Sequence, residues 1–148
     1  MRILVVFLVT MLSTVQSGDH IPRVLTGNWS VGMPYDLGQP VGLDANQEKK
    51  IKGLNVHISG GYIEVCGKSI PVKSVSVETL SAKQFLERFN FSPVQVGLRG
   101  LRVTEVIINK YHSTNTCGDF EDPGSHLFVS AGAVVMETGN DYFPLKRR

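Results

Sequence analysis

Short runs in which apolar and polar residues alternate are the main pattern along this chain. The runs "LNVHIS" and "YIEVCG" flank Gly60–Gly61, and two alternating runs around a glycine pair predict a β-hairpin. Three later runs, "SHLFVS", "AVVMET" and "DYFPLKR", are separated by Ala131–Gly132 and Gly139–Asn140, which suit tight turns. The pattern therefore predicts an antiparallel meander in the last part of the chain.

The stretch "SIPVKSVSV" continues the first hairpin as a further strand. Its apolar positions change face between Val72 and Val75, and a β-bulge near Lys73 and Ser74 explains such a change. Pro71 has no backbone N–H, which places the strand at an edge or a bulge. The run "LRVTEVIINKYH" is rich in β-branched residues and predicts another, longer strand.

Two short helices are predicted by their N-terminal caps. In "LDANQEKKIKG" the Asp44 side chain can accept from free backbone amides, and Gln47 completes a capping box. In "LSAKQFLERF" Ser81 and Gln84 stand in the same relation, and the two phenylalanines recur at helical spacing. We expect the second helix to cover the open end or the side of a sheet.

The number of short strands indicates the fold class. Seven or eight antiparallel strands with one or two short helices predict a mainly β protein, and closure into a barrel removes the exposed edges of such a sheet. The run "VLTGNWSV" is the first strand, and the Gly- and Pro-rich stretch 32–42 is a surface loop. Trp29, on the first strand, is expected to seal one end of the barrel.

The first residues have the layout of a secretory signal peptide. Arg2 gives a positive start, and the apolar run "ILVVFLVTML" is shorter than the roughly 20 residues that span a bilayer. We predict a signal peptide over residues 1–17, a single barrel domain over residues 18–148 that begins with a short tail at 18–23, and a secreted or periplasmic protein. The alternative is that the same apolar run is not cleaved and serves as a membrane anchor. No other stretch of the sequence is long and apolar enough to cross a membrane.

Charge limits the partners of the chain. Lys and Arg number 15 and Asp and Glu number 13, which gives a formal net charge of +2 over 148 residues. Nucleic-acid binding by bulk electrostatics is therefore not expected. The basic end "KRR" is interpreted as a solvated tail.

Cys66 and Cys117 are the two cysteines of the chain. Export to an oxidising compartment makes a disulfide between them the expected state, and two separate thiols are the alternative. The apolar pattern of "YIEVC" places Cys66 in a strand.

Two features resemble known proteins. "TGNWSV" is similar to the Gly-x-Trp opening of lipocalin-like barrels, here Gly27 and Trp29. The resemblance implies a small antiparallel lipocalin-like β-barrel of seven or eight strands, with Arg147 or Lys146 over the tryptophan ring. The early tryptophan, a helix ending "IKG" and the finish "YFPLKR" resemble small exported bacterial proteins of uncharacterised function. A helix in mid-chain, and none after the last strand, depart from typical lipocalins.

No constellation of residues singles out a catalytic site. "GGYIEVCGKS" fails as a phosphate-binding loop because Tyr62 stands where the first glycine is required. The histidines lack the spacing of a zinc site, and Ser125 and His126 would point to opposite faces of a strand. We therefore expect neither enzyme activity nor a cofactor.

Two local patterns leave ion binding and modification open. Asp119, Glu121 and Asp122 carry the oxygen ligands that calcium prefers, although the glycine-centred twelve-residue loop is missing. Asn28 and Asn90 match the N-glycosylation pattern, which matters only in a eukaryotic host.

We expect a non-catalytic binding protein and leave two forms open. The first binds a small apolar ligand in a barrel cavity of about 300 Å³ or more, with Tyr62, Phe128 and Met136 as lining candidates. The second is a protein-interaction module, such as an inhibitor of an extracellular hydrolase, that uses the loops 32–42 and 114–124. A barrel filled by its own side chains favours the second form.

Overall fold

A computed structural model describes residues 16–18, 20–38, 42–111, 117–118, 120–121 and 123–148. In chain order the elements are β1 (Gln16–Gly18), β2 (Gly27–Val31), α1 (Ala45–Ile51), β3 (Asn55–Ile58), β4 (Tyr62–Val65), β5 (Lys68–Ser81), α2 (Ala82–Phe89), β6 (Arg102–Lys110), β7 (His126–Ser130), β8 (Ala133–Thr138) and β9 (Asp141–Arg147). Two short 3-10 helices lie at Arg23–Leu25 and Pro93–Val96.

Strands β2 to β9 close into an eight-stranded antiparallel barrel, which confirms the predicted fold class. Strands that follow one another pair along the sheet, and β9 returns to pair with β2, where Trp29 lies opposite Arg147. Even-numbered strands therefore all begin at the same end of the barrel. We call it the tryptophan end, because Trp29 lies there, and we call the opposite end, where the connections carry Cys66 and Cys117, the disulfide end.

Three hairpins are joined by two-residue turns with left-handed backbone. The φ angle is positive at both residues of Cys66–Gly67, Ala131–Gly132 and Gly139–Asn140. This geometry matches the twist of the flanking strands. The last two turns confirm the prediction, whereas the placement of Cys66 in a strand is wrong. Val65 pairs with Lys68, so only Cys66 and Gly67 remain to reverse the chain.

The hairpin between β3 and β4 is confirmed, but its glycines do not fix it. Neither Gly60 nor Gly61 has a positive φ. Instead, Ser59 Oγ accepts from the backbone N–H groups of Gly61 and Tyr62, at 3.3 and 3.0 Å. A serine side chain therefore holds this turn.

Strand β5 is longer than predicted and changes its partners along its length. Its register against β6 shifts between Val72 and Ser74, which confirms the predicted bulge near Lys73 and Ser74. The part before the bulge pairs with β4, and residues 75–77 pair with the short strand β1 as well as with β6.

The segment before β2 is not the tail that the sequence suggests. Ile21 is buried in the barrel core, and Leu25 is buried at the end of the 3-10 helix Arg23–Leu25, because both side chains are apolar. Of the predicted signal peptide, residues 1–15 lie outside the described residues, and cleavage after Ser17 stays a prediction. In the described part of the chain, no helix has the length and apolar character needed to cross a bilayer.

Both helices begin as predicted. The Asp44 side chain accepts from Gln47 N while Gln47 Oε1 accepts from Asp44 N, and Ser81 and Gln84 form the second box. α2 ends at Asn90, which has the left-handed φ of 62°. It lies on the outside of β5 and β6, so it covers the side of the barrel.

Buried apolar side chains form two clusters, one inside the barrel and one between its outer wall and α2. The inner cluster is Ile21, Leu25, Trp29, Val31, Leu43, Ile51, Val56, Ile58, Ile63, Val65, Ile70, Val75, Val106, Ile108, Phe120, Leu127, Val134, Met136, Phe143 and Leu145. The outer cluster is Leu80, Phe85, Phe91, Val96, Leu98, Val103, Phe128, Val135 and Tyr142. Because successive residues of a strand face opposite sides, β7, β8 and β9 contribute to both clusters.

Candidate functional site

Trp29 closes the tryptophan end of the barrel. Its side chain is only 5% exposed, and its Nε1–H donates to the carbonyl oxygen of Leu25 at 2.7 Å. This bond satisfies the one polar group of the indole. The ring and the 3-10 helix before it therefore cover the lumen at this end.

Arg147, and not Lys146, lies over the indole ring. Its guanidinium carbon is 4.5 Å from the ring centre. The same guanidinium donates to the carbonyl oxygens of Val24 and Thr26, each at 2.9 Å. The interpretation of "KRR" as a solvated tail is therefore wrong for Arg147, which ties β9 to the segment that leads into β2.

Replacing Gly27 with alanine is expected to destabilise this closure by about 1–3 kcal/mol. Gly27 has a φ of +132°, and an added Cβ would lie 2.7 Å from Arg147 Nη1. Urea denaturation followed by Trp29 fluorescence measures the loss. Gly60→Ala is the matched control, because a Cβ at Gly60 meets no atom within 4 Å. Equal midpoints for the two variants would contradict the expected role of Gly27.

The connection between β6 and β7 fills the disulfide end. Phe120 belongs to the inner cluster, and Pro123 and Gly124 are buried. An added Cβ at Gly124 would lie 3.3 Å from Ile63 and 3.4 Å from Val56, which are inner-cluster residues. The described part of the loop 114–124, a predicted interaction loop, therefore enters the barrel at Phe120, Pro123 and Gly124, and we call these three residues the plug.

The predicted disulfide anchors the plug. Cys66 and Cys117 are bonded, with their Cα atoms 5.4 Å apart. Cys66 lies in the turn between β4 and β5, whereas Cys117 lies three residues before Phe120. The bond therefore ties the plug to the rim of the barrel.

The connection between β2 and β3 covers the rest of the disulfide end. Leu43 and Ile51 join the inner cluster, and Leu43 N donates to Asp141 Oδ2 at 3.3 Å. An added Cβ at Gly42 would collide with the carbonyl oxygen of Gly139, so the connection lies directly on the turn between β8 and β9.

Side chains occupy the lumen between the two closed ends. Ile58, Ile63, Leu127, Met136 and Phe143 have no exposed surface. A void that admitted water would leave accessible surface on the side chains that line it. Close packing of this kind is typical of a protein core rather than of a ligand cavity.

The three lining candidates do not share a cavity. Met136 belongs to the inner cluster, whereas Phe128 belongs to the outer cluster, because its neighbour Leu127 already faces the lumen. Tyr62 is exposed on the outside of β4, where its ring lies 5.8 Å from that of His57.

A groove of about 280 Å³ lies outside the disulfide end, between α1 and the loop that follows β2. Met33 is 60% exposed beside it, which is high for a large apolar side chain. The groove is lined by Met33, Pro34, Ala45, Glu48, Lys49 and Lys52. It therefore combines an apolar surface with the charged side chains of Glu48 and Lys49 on α1 and of Lys52 directly after it.

A network of charged side chains joins α2 to the barrel wall. Arg88 Nη1 donates to Glu78 at 2.7 Å and to Glu105 at 2.6 Å. His126 lies 2.8 Å from Glu105 through Nε2 and 2.9 Å from Glu137 through Nδ1. Glu105, only 4% exposed, is the centre of the network.

These contacts set the charge of the network. Burial alone lowers the pKa of His126, but hydrogen bonds to Glu105 and Glu137 outweigh burial and raise it to about 9. Burial raises the pKa of Glu105, but His126 and Arg88 outweigh it, so that pKa is below its usual value. Both ring nitrogens of His126 face carboxylates, so neither is available as a base for Ser125.

This network is not among the features predicted from the sequence, although one signal of it is present. Glu105 stands between Val103 and Ile107 on the outward face of β6, and a carboxylate among apolar neighbours indicates a buried charge with a partner. The partners lie 17 and 21 residues away, at Arg88 and His126. The register that brings them together is not readable from the sequence.

The remaining predicted positions are on the surface or outside the described residues. Asn28 is exposed, with Oδ1 2.8 Å from His57 Nδ1, and Asn90 is exposed at the end of α2. Asp119 and Asp122 are not among the described residues, so the calcium hypothesis stays a prediction. Within the described residues, no three His, Cys, Asp or Glu side chains are grouped to hold a metal ion.

No protein-family model, no curated protein and no solved structure matches this chain. The eight-stranded antiparallel barrel is consistent with the lipocalin-like resemblance. The resemblance to small exported bacterial proteins stays a prediction.

Proposed function

We propose that this is an exported, non-catalytic protein that binds another protein through the outer surface of its disulfide end. The observation that carries the proposal is the filled lumen. Because side chains and the plug occupy the inside of the barrel, the outer surface is the part that a partner can bind. A small ligand in the lumen would first have to displace the plug.

The groove beside Met33 supports this choice of surface. Met33 and Pro34 supply apolar contacts. Helix α1, which carries Lys49 and is followed by Lys52, is fixed by its capping box and by the buried Ile51. An exposed apolar patch with a polar rim is typical of a protein-binding surface. With two lysines against the one carboxylate of Glu48, the lining favours a partner segment with an apolar side chain flanked by carboxylates.

Inhibition of an extracellular hydrolase is the form to test first. The protein would be titrated against a panel of secreted proteases and glycosidases, with residual activity as the readout. We expect Met33→Asp to weaken inhibition at least ten-fold, since a central apolar contact is worth about 2 kcal/mol. Val94→Asp is the matched control, because Val94 is also 60% exposed but lies in the β5–β6 connection at the tryptophan end.

Two results would overturn the proposal. Absence of inhibition across the panel would contradict the inhibitor function. Equal effects of Met33→Asp and Val94→Asp on inhibition would show that the groove beside Met33 is not the binding surface. Native mass spectrometry of the purified protein gives a separate check. A retained apolar molecule would favour the ligand-binding alternative.

A further inference from the structure

The tryptophan end of the barrel carries a cluster of positive charge, although the net charge of the chain is only +2. Exposed basic residues lie before β2, at the start of β6 and at the end of β9, all of which are at the tryptophan end. They are Arg23, Arg99, Arg102 and Lys146. No described carboxylate forms an ion pair with any of the four.

The described carboxylates lie mainly elsewhere. At the disulfide end, Asp36, Asp44 and Glu48 lie in the β2–β3 connection, where Lys49 and Lys52 offset part of their charge. Glu78 and Glu105 are bound to Arg88 on the side wall. The tryptophan end therefore presents unneutralised positive charge.

An apolar side chain projects from the same end. Leu101 is 95% exposed, between Arg99 and Arg102 in "LRGLR". Such exposure contributes nothing to folding, because the side chain loses no contact with water.

The exposure of Leu101 is enforced by the fold. Gly100 N donates to Ser130 Oγ at 2.9 Å, and the same hydroxyl donates to the carbonyl oxygen of Arg102 at 2.7 Å. Ser130 is itself buried. One buried side chain thus fixes the backbone on both sides of Leu101 and holds it outward.

We propose that the tryptophan end binds an anionic phospholipid surface. Leu101 inserts among the lipid headgroups, while Arg23, Arg99, Arg102 and Lys146 face the lipid phosphates. An apolar tip within a basic rim fits an anionic interface, where electrostatic attraction and burial of apolar area act together. The disulfide end then points away from the lipid, and this inference does not depend on the partner proposed for that end.

Sedimentation with vesicles tests the proposal, using protein purified after export so that the apolar run of the predicted signal peptide is absent. The vesicles contain 30% phosphatidylglycerol in phosphatidylcholine, or phosphatidylcholine alone. We expect binding to the anionic vesicles alone, and loss of binding at high salt because salt screens exposed charges.

Paired variants separate the two contributions. Arg99→Ser with Arg102→Ser is expected to weaken binding about 30-fold, since each basic residue near an anionic surface contributes a factor of about five. Leu101→Ser is expected to weaken it about ten-fold. The matched controls at the disulfide end, Met33→Ser and Lys49→Ser with Lys52→Ser, are expected to leave vesicle binding unchanged.

Several outcomes would overturn the proposal. They are no binding to anionic vesicles at low salt, equal binding to neutral vesicles, and equal loss in the control variants. Binding to a sulfated polysaccharide without vesicle binding would also overturn it, because the rim would then serve a soluble polyanion. None of these outcomes affects the proposed binding of a protein at the disulfide end. That proposal is tested separately, by the effect of Met33→Asp on inhibition.

Discussion

Reduction of the Cys66–Cys117 disulfide is expected to lower the free energy of unfolding by about 4 kcal/mol. The two cysteines are 51 residues apart, and closing a loop of that length removes much conformational freedom from the unfolded chain. The bond also holds the plug, so reduction should admit water and apolar dyes to the lumen. Urea denaturation with and without reductant measures the loss, and the fluorescence of an added hydrophobic dye reports the opening.

The double variant Cys66→Ser, Cys117→Ser is the control for reduction. Its stability should match that of the reduced protein and should not respond to reductant. Phe120→Ala, with the disulfide intact, removes the plug ring alone and separates plug packing from chain entropy. If reduction shifts neither the urea midpoint nor the dye signal, the disulfide does not stabilise the plug.

Raising the pH from 6.5 to 9 is expected to lower the free energy of unfolding by about 3 kcal/mol through His126. The pKa of His126 is about 9 in the folded protein against 6.5 in an unfolded chain. The stabilisation is therefore fully present below pH 6.5 and disappears as the pH rises through about 9. Glu105, with its lowered pKa, acts in the opposite direction, and its contribution disappears in acid below its unfolded pKa near 4.5.

Urea denaturation between pH 5 and pH 9.5 measures this dependence. His126→Gln should flatten the alkaline decrease, because glutamine carries no proton to lose. His57→Gln is the matched control and should retain the decrease, since His57 contacts the neutral Asn28. A wild-type curve that stays level up to pH 9 would contradict the assigned contacts of His126.

The elements that the sequence predicts correctly depend on neighbouring residues. The capping boxes at Asp44 and Ser81 need only a partner three residues away, and the bulge after Val72 appears as a change of face within one strand. The disulfide prediction rests on the expected export of the chain and on its having two cysteines. Each of these features is local or has one possible partner, so the sequence is sufficient to predict it.

Features that depend on packing between distant strands are not predictable in the same way. The sequence gives no sign that the Phe120 side chain turns into the lumen, because the composition around it is that of a surface loop. Phe128 and Met136 are equally apolar, and only the register of β7 and β8 shows that they face opposite sides. The charged network is hidden for the same reason, because Glu105 meets its partners across strand pairs.

The sharing of β7, β8 and β9 between two clusters has a consequence for self-association. Phe85 of α2 lies 5.5 Å from Phe128, and Phe91 lies 4.7 Å from Tyr142, ring centre to ring centre. If α2 and the segment after it detached, neighbouring strands would present a continuous apolar stripe to water. Such stripes are sites of aggregation. The Arg88 and His126 contacts that hold the helix therefore also protect the barrel wall from other copies of the chain.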